Sequence, residues 1–288
     1  MRAWLICLSL CIASSAHALM TPPDEISKPL GWGARGSDHK FNEAAQAVPG
    51  PIRLRVRAVG ANISVVAGPP QLLTVRATAA DASRVELRKD AADSYEVVFD
   101  GVTSLRAGHV VATVPPRSEV EVQTTTGTIS LSAVTGTARL RSTVGDISVV
   151  RGGNVEARSI SGHVNIIDAD GETRIDTVSG TAQVSAARGV TPTLRFASTS
   201  GSLDWSGGCG SRCRIEARSM SGAVRLRLRK ESSFTIRYLS HSGDLDDRLG
   251  IATSSGNTVG EISVTGRYNE GLGTIECNTW SGHLSLSP

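Results

Sequence analysis

The sequence predicts an all-β protein built as a parallel β-solenoid (β-helix-like), with coils of 17–21 residues and an irregular β cap at the N-terminal end. Three observations support this fold class: a short phrase repeats eight times, its later copies are evenly spaced, and apolar residues alternate around it. Each copy has Ser or Thr three residues before a glycine, and these glycines are Gly127, Gly145, Gly162, Gly180, Gly201, Gly222, Gly243 and Gly282.

The spacing of these corner glycines indicates two strands per coil. Successive glycines lie 18, 17, 18, 21, 21, 21 and 39 residues apart, and we interpret the last interval as two units, one of them degenerate. A second set of glycines halves the early intervals: Gly136, Gly153, Gly171 and Gly189. The resulting nine or so residues accommodate one strand of about five residues and one corner. A β-propeller is the alternative fold, although such units are short for four-stranded blades.

The residues around each glycine predict which side chains face the core. The second residue after the glycine is apolar in every copy: Ile129, Ile147, Val164, Ala182, Leu203, Val224, Leu245 and Leu284. The fourth residue after it is apolar except at Asp247. This period of two places one face of each strand in the core, and the glycine marks a sharp corner. The Ser or Thr three residues before it is predicted to cap corner amides or to hydrogen-bond between coils.

The start of the chain resembles a secretory signal peptide over residues 1–18. Arg2 precedes an apolar run from Leu5 to Ala13, and Ala16-His17-Ala18 is a small-residue cleavage site. The run is too short to span a bilayer, and no second candidate for a transmembrane segment follows it. Without these residues the chain would keep 29 of its 30 basic residues against 27 acidic ones, a net charge of +2. This balance argues against nucleic acid as a partner.

Three further segments follow. Residues 19–50 lack periodicity and are expected to form a flexible leader, with a short helix around Asn42 to Ala47 as an alternative. Residues 51–119 alternate loosely and predict irregular β coils or a small β-sandwich that caps the stack. Residues 120–288 hold the regular solenoid repeats.

Cys209 and Cys213 flank the loop Gly210-Ser211-Arg212 within one long repeat. In an oxidising compartment outside the cytoplasm they are predicted to form a disulfide. A metal pair or a redox couple is the alternative, although the spacing is not Cys-x-x-Cys. Cys277 falls in an inward-facing column and is predicted to be a buried free thiol. We expect no cofactor and no metal.

The segment Val110-Val111-Ala112-Thr113-Val114-Pro115-Pro116, then Val120-Glu121-Val122 and the repeated Thr/Ser-x-Ser-Gly-x-Val/Ile phrase, resembles the bacterial putative-adhesin family. The resemblance covers roughly residues 52–288. It implies an exported β-solenoid-like domain at the cell envelope. No set of catalytic residues comes with it.

Two surface features are candidates for binding. Arginines recur at outward positions and would form a basic stripe for phosphate or carboxylate groups: Arg141, Arg158, Arg218, Arg225, Arg227 and Arg229. A solvated face that discourages strand aggregation is the alternative. The chain stops soon after the last repeat, at Pro288, so we also expect a terminal strand edge that another chain could pair with.

The alternative from a different functional class is a polysaccharide-processing β-helix enzyme. Its acidic candidates are residues 168–172 and residues 244–247, where Asp247 interrupts an apolar column. The histidines His109, His163, His241 and His283 have no metal-ligand spacing. The favoured hypothesis is a non-enzymatic, adhesin-like interaction or scaffold module, exported to the periplasm or cell surface. Its expected partner is an envelope protein or an anionic glycan.

Overall fold

The computed structural model describes residues 41–78, 85–99, 108–187, 189, 191–258 and 261–288, apart from the side chains of residues 41 and 252–258. The expected signal peptide over residues 1–18 and the first part of the expected leader lie outside these residues. Every regular element in the described part is a β-strand, which confirms the predicted all-β, solenoid-like fold class. No helix among the described residues is long and apolar enough to cross a membrane.

Seven strands form the N-terminal part. They are β1 Phe41–Ala47, β2 Arg53–Arg57, β3 Ala61–Ala67, β4 Leu72–Thr78, β5 Val85–Ala91, β6 Ser94–Phe99 and β7 Gly108–Val114. Strands β2 and β3 form one coil and β6 and β7 a second, because each pair runs parallel with the other in its sheet. Strands β1, β4 and β5 instead pair antiparallel at the outer end of the stack.

Strand β1 corrects the prediction for the end of the leader. Residues 41–47, for which a flexible chain or a short helix was expected, pair with β4 along their whole length. The alanine-rich sequence offers little apolar periodicity, so the strand depends on the edge that β4 presents rather than on its own pattern.

Twelve strands form the regular coils. They are β8 Glu119–Thr126, β9 Ile129–Ser132, β10 Ala138–Val144, β11 Ile147–Val150, β12 Val155–Ser161, β13 Val164–Ile167, β14 Glu172–Thr177, β15 Thr181–Ser185, β16 Thr193–Ser198, β17 Ser202–Gly207, β18 Arg214–Ser219 and β19 Val224–Leu228. The chain alternates between two sheets, so each coil contributes one strand to each. Neighbouring coils pair in parallel and in register, as the repeat spacing predicts.

The last six strands leave the regular order. They are β20 Phe234–Ser240, β21 Leu245–Asp247, β22 Ala252–Thr258, β23 Glu261–Tyr268, β24 Gly273–Thr279 and β25 Leu284–Ser287. The final coil, β24 and β25, lies between the coil of β18 and β19 and the coil of β20 and β21. Strands β22 and β23 pair antiparallel beyond β20 and cover that end of the second sheet.

This arrangement corrects two expectations. The 39-residue interval between Gly243 and Gly282 contains the antiparallel pair β22–β23 and the return of the chain, not a degenerate unit. The C-terminal strand β25 is an inner strand, paired on one side with β19 and on the other with β21. The strand expected to offer a free edge therefore has both neighbours within the same chain.

The complete strand orders define two sheets. The first sheet has the order β1-β4-β7-β3-β9-β11-β13-β15-β17-β19-β25-β21. The second has the order β22-β23-β20-β24-β18-β16-β14-β12-β10-β8-β2-β6-β5. The inward columns of both sheets meet in one core of aliphatic side chains, with Phe196, Trp205, Phe234 and Tyr238 as its largest fully buried rings.

The corner glycines form a ladder in which each packs on the backbone of the next coil. A Cβ atom built on Gly145 would lie 2.2 Å from the carbonyl oxygen of Gly127, and one on Gly222 would lie 1.7 Å from that of Gly201. Real Cβ atoms do not approach so closely. The repeat therefore requires glycine because any side chain would separate the corners of neighbouring coils.

The hydroxyls three residues before the glycines cap the later corners, as predicted. Some also hydrogen-bond between coils, as the second prediction for them stated: Thr279 Oγ1 donates to Ser240 Oγ at 3.0 Å. The glycine N–H groups of Gly180, Gly201, Gly222 and Gly243 donate to the side-chain oxygens of Thr177, Ser198, Ser219 and Ser240 over 2.6–3.0 Å. The earlier corners differ, since Gly127, Gly145 and Gly162 adopt positive φ angles. The buried hydroxyls of Ser142 and Ser159 have no protein partner there.

Candidate functional site

The six arginines predicted to form one basic stripe lie on opposite faces of the solenoid. Arg141, Arg158 and Arg218 lie on the outer face of the second sheet, in β10, β12 and β18. Arg225 and Arg227 lie on the outer face of the first sheet, in β19, and Arg229 follows that strand. The corner at Gly222 carries the chain from one sheet to the other between these groups, so no single stripe contains all six.

Much of the second sheet's outer face is a ladder of alternating charges. Glu119 forms ion pairs with Arg53 and Arg139, and Arg139 forms a further ion pair with Glu156. Arg158 then contacts Glu156 at 2.7 Å and Asp176 at 3.3 Å. Because these ion pairs lie within a strand or join neighbouring coils, the charges of this part of the face balance one another within the protein.

The predicted arginines differ in how they are used. Arg227 Nη2 lies 2.9 Å from Asp204 Oδ2, and Arg229 Nη2 donates to the carbonyl of Ala186 at 2.8 Å. These two side chains, like that of Arg158, are therefore already bound to other groups of the protein. Arg141, Arg218 and Arg225 take part in none of the ion pairs formed within the described ranges. Of these three, Arg141 and Arg218 lie on the same face.

The disulfide between Cys209 and Cys213 is present, with the sulfurs 2.03 Å apart. Both residues are buried, and backbone groups of the pair hydrogen-bond to Ser233 and Thr274. Cys277 is a buried free thiol, as predicted, and burial raises its pKa to about 12. A thiol in this state is neutral and packs as a small apolar group.

Asp247, the acidic residue that interrupts an apolar column, has a structural role. Its carboxylate accepts hydrogen bonds from the backbone N–H groups of Leu249 at 2.9 Å and Ile251 at 2.7 Å, which ends β21. Asp246 pairs with Arg248 at 3.0 Å on the outer face. Across the described parts of the chain, no three His, Cys, Asp or Glu side chains converge as metal ligands would.

An exposed apolar column runs along the corner that holds the glycine ladder. We call it the apolar ridge, and its members are Val144, Ile160, Val178, Met220 and Trp280. Ile160, Val178, Met220 and Trp280 lie two residues before a corner glycine, and Thr199 occupies the same position in the coil between Val178 and Met220. Val144 lies one residue before its glycine and aligns with Ser161, so it stands beside this column. Met220 is 58% exposed and Trp280 is 61% exposed, although large apolar side chains in this fold otherwise lie mostly in the core.

A shallow groove of ≈ 540 Å³ lies beside the C-terminal half of the ridge, on the outer face of the second sheet. Its floor is formed by short or unpaired side chains, among them Ala197, Arg218 and Asn278. Met220, Trp280 and His241 line it on the side of the ridge, and Glu261 of β23 also lines it. In the row of outer residues next to the ridge, Ala197 follows Arg158 and Asp176, and the groove begins there. Ion pairs of the same face continue in the adjacent row, between Arg195 and Glu216.

Trp280 and His241 form a stacked pair at the end of the ridge. Their ring centroids are 4.4 Å apart and their planes differ by 21°. The two residues occupy the same position in neighbouring coils, and the backbone N–H of His241 donates to the backbone carbonyl of Trp280 at 3.0 Å. Met220 occupies the corresponding position in the coil on the other side. The indole therefore stands within a row, and much of its surface remains exposed.

Our sequence interpretation missed the ridge, although the signal was present in the repeat. The position between the two hydroxyl residues of the phrase was treated as free to vary. It holds Ile160, Val178, Met220 and Trp280 in copies where only Ser or Thr flanks it. An outward position next to a corner has no need of apolar side chains for folding, so their recurrence there was the available clue.

Several solved structures are similar to this chain. It is similar to a putative adhesin from Parabacteroides merdae, with 10% identity over 87% of this chain and 98% of that one and a TM-score of 0.40. A putative adhesin from Bacteroides fragilis has 10% identity over 86% and 97% of the two chains, with a TM-score of 0.36. A putative cell adhesion protein from Clostridium sporogenes has 12% identity over 86% and 99%, with a TM-score of 0.23.

No curated protein sequence matches this chain. The model of one protein family, Toastrack DUF4097, matches residues 56–287, which include both irregular coils and all the regular ones. The matched range starts in β2 and ends in β25, the first and last strands that contribute to coils of the stack. The chain belongs to the Toastrack DUF4097 family.

Proposed function

We propose that this protein is an exported, non-enzymatic interaction module of the bacterial cell envelope, and that it contacts its partner through the apolar ridge and the adjoining groove. The single observation that carries this proposal is the exposure of five apolar side chains along one corner of the stack. Exposed apolar groups that cluster on a folded protein mark interaction surfaces, because leaving them in water is unfavourable.

The chemistry of the remaining surface supports the same assignment. Many charged side chains of the second sheet form ion pairs within the chain, and Arg158 is one of them. The acidic candidate Asp247 is engaged by backbone N–H groups. These side chains stabilise the stack, whereas folding does not explain why the apolar side chains of the ridge are exposed.

The disulfide supports export, because bonds of this kind persist in oxidising compartments outside the cytoplasm. It agrees with the secretory signal expected over residues 1–18 and with the resemblance to exported adhesin-like proteins. We therefore place the partner in the periplasm or at the cell surface.

Site-specific photo-crosslinking in living cells tests this proposal. A photo-reactive amino acid replaces Thr199, which lies exposed within the ridge, and in a second strain Ser130, which is exposed on the first sheet. We expect position 199 to crosslink to an envelope component and position 130 to give at most a weak background. Equal crosslinking from both positions, or none from either, would contradict the proposal.

A second comparison separates the ridge from the arginines predicted from the sequence. The double change Met220→Ser and Trp280→Ser should abolish the crosslink from position 199. The triple change Arg225→Ser, Arg227→Ser and Arg229→Ser alters the opposite sheet and the corner after it, and should leave the crosslink intact. The reverse result would move the binding surface to β19.

A further inference from the structure

The apolar ridge is narrow and convex, with a single ridge side chain in each coil that contributes to it. It follows a corner of the stack from β10 to β24, over five inter-strand steps of ~4.8 Å, or roughly 24 Å. The columns on either side are polar: the outer row of the second sheet contains Arg141, and on the other side of the glycines lie residues such as His163 and Ser202. A contact that touched only the crest would cover little apolar surface.

This shape favours a fluid partner over a rigid one. A rigid protein would need a matching furrow about 24 Å long to surround each side chain, whereas a flat protein surface would reach only the tips. A lipid layer closes around every side of a protruding residue, so it removes much more apolar surface from water for the same ridge.

The basic side chains next to the ridge supply charge complementarity. Arg218 lies two residues before Met220 and Arg141 lies three residues before Val144, both on the second sheet, and neither forms an ion pair within the described residues. Guanidinium groups bind phosphate oxygens through paired hydrogen bonds. They would stand at the depth of the headgroups when the ridge enters the layer.

The surroundings of Trp280 also favour a lipid partner. His241 covers one face of its indole ring, with 4.4 Å between the ring centroids, and Met220 occupies the neighbouring coil on the other side. A sugar ring that stacks on tryptophan needs an open face, and His241 already occupies one face of this indole. The exposed edge suits the boundary between headgroups and acyl chains, where tryptophan is enriched.

We propose that the apolar ridge docks on the surface of a lipid layer with anionic headgroups, with Arg141 and Arg218 as headgroup ligands. This inference rests on the proposed function and names the partner of the same surface. The solenoid would lie with its glycine-ladder corner against the layer.

Vesicle sedimentation tests the proposal. The protein, purified in the form that cells export, is mixed with vesicles of phosphatidylglycerol and phosphatidylcholine or with vesicles of phosphatidylcholine alone. We expect binding to the anionic vesicles and at least tenfold weaker binding after the double change Met220→Ser and Trp280→Ser. The matched control changes two exposed apolar residues elsewhere, Val111→Ser and Leu272→Ser, and should bind like the parent.

The arginines are tested in the same way. The double change Arg141→Ser and Arg218→Ser should remove most of the preference for anionic over neutral vesicles. The control, Arg225→Ser with Arg227→Ser, removes the same charge from the opposite sheet and should keep that preference. Difference spectra between the parent and Trp280→Phe should show the emission of Trp280 shifting to shorter wavelength on anionic vesicles.

Three results would overturn lipid docking: no binding of the parent to anionic vesicles, equal binding of the ridge variant, or an unshifted Trp280 emission. A ridge-dependent crosslink to an envelope protein, combined with no vesicle binding, would overturn the lipid proposal and leave the interaction module intact. If the parent protein shows neither the crosslink nor vesicle binding, both proposals are overturned together.

Discussion

Gly243 packs against the backbone carbonyl of Gly282, a residue 39 positions later in the chain. A Cβ atom on Gly243 would lie 1.9 Å from that oxygen, and a Cβ atom on Gly282 would lie 2.3 Å from the carbonyl oxygen of Gly222. The last coil of the sequence, β24 and β25, therefore lies between two coils whose residues come earlier in the chain. The contacts between corner glycines therefore follow the order of the coils along the stack, because each glycine packs against the neighbouring coil in space.

Gly282→Ala should destabilise the protein strongly. The added methyl group would collide with the Gly222 carbonyl and separate β24 and β25 from β18 and β19. We expect the free energy of unfolding in urea to fall by at least about 2 kcal/mol. Gly50→Ala is the matched control, since a Cβ there meets no atom within 4 Å, and it should change stability little. Equal midpoints for the two variants would refute the close-packed ladder.

Glu119 should make stability depend on pH. Burial opposes its ionisation, but hydrogen bonds from Arg53 and Arg139 outweigh that effect and lower its pKa from the ordinary value of 4.5. A lowered pKa means that the folded state favours the carboxylate. Its contribution is thus present above pH 4.5 and is lost as the pH falls through the folded-state pKa.

Glu119→Gln should cost about 1–2 kcal/mol at pH 7, because two charge-assisted hydrogen bonds weaken. The difference from the parent, measured by chemical unfolding at a series of pH values, should shrink below pH 4.5. The control is Glu276→Gln, which also lies on the outer face of the second sheet and takes part in no ion pair of the described chain. A pH-independent difference would show that Glu119 acts through packing alone.

Loss of the disulfide should weaken the protein moderately. The bond closes a loop with a sequence separation of 4, and the chain-entropy model assigns about 2 kcal/mol to so short a loop. The double change Cys209→Ser and Cys213→Ser should lower the unfolding midpoint by a corresponding amount. Reductant should shift the parent to the same midpoint and leave the double variant unchanged. A parent insensitive to reductant would mean that the bond contributes no stability.

The Cys277 thiol should be unreactive in the folded protein. Burial raises its pKa to about 12, so the reactive thiolate is scarce at pH 8 and the sulfur is inaccessible as well. A thiol reagent should label one site more in the unfolded parent than in unfolded Cys277→Ala, and the two folded proteins should label equally. Rapid labelling of folded Cys277 would place the side chain outside the core.

Much of the core could be predicted from alternation alone. The apolar residues two positions after the corner glycines are buried in seven copies, and Leu245, in the short strand β21, is half-buried. The reason is local, because a strand turns every second side chain to the same face wherever it sits in a sheet. The disulfide was also accessible, since four residues separate its cysteines along the chain.

The surface was harder to predict, because it depends on which coils are neighbours. Arg158 belongs to a predicted stripe in the sequence, yet in space it contacts Glu156 of its own strand and Asp176 of the next coil. Arg225 seemed to continue that stripe, but the corner at Gly222 sends it to the opposite face. The ridge depends on the same alignment, which brings single outward residues from separate repeats together at one corner.

The sequence by itself determined the repeat, the two strands per coil, the inward columns and the glycine corners, because each follows from spacing within about twenty residues. Only the tertiary structure decided the order of the last coils, the capping of both ends by antiparallel strands and the separation of the arginines. All corner phrases are chemically alike, so the corner at Gly243 could pack on any other corner glycine. Its partner is Gly282 because β23 covers the outer side of β20, and β24 pairs between β18 and β20.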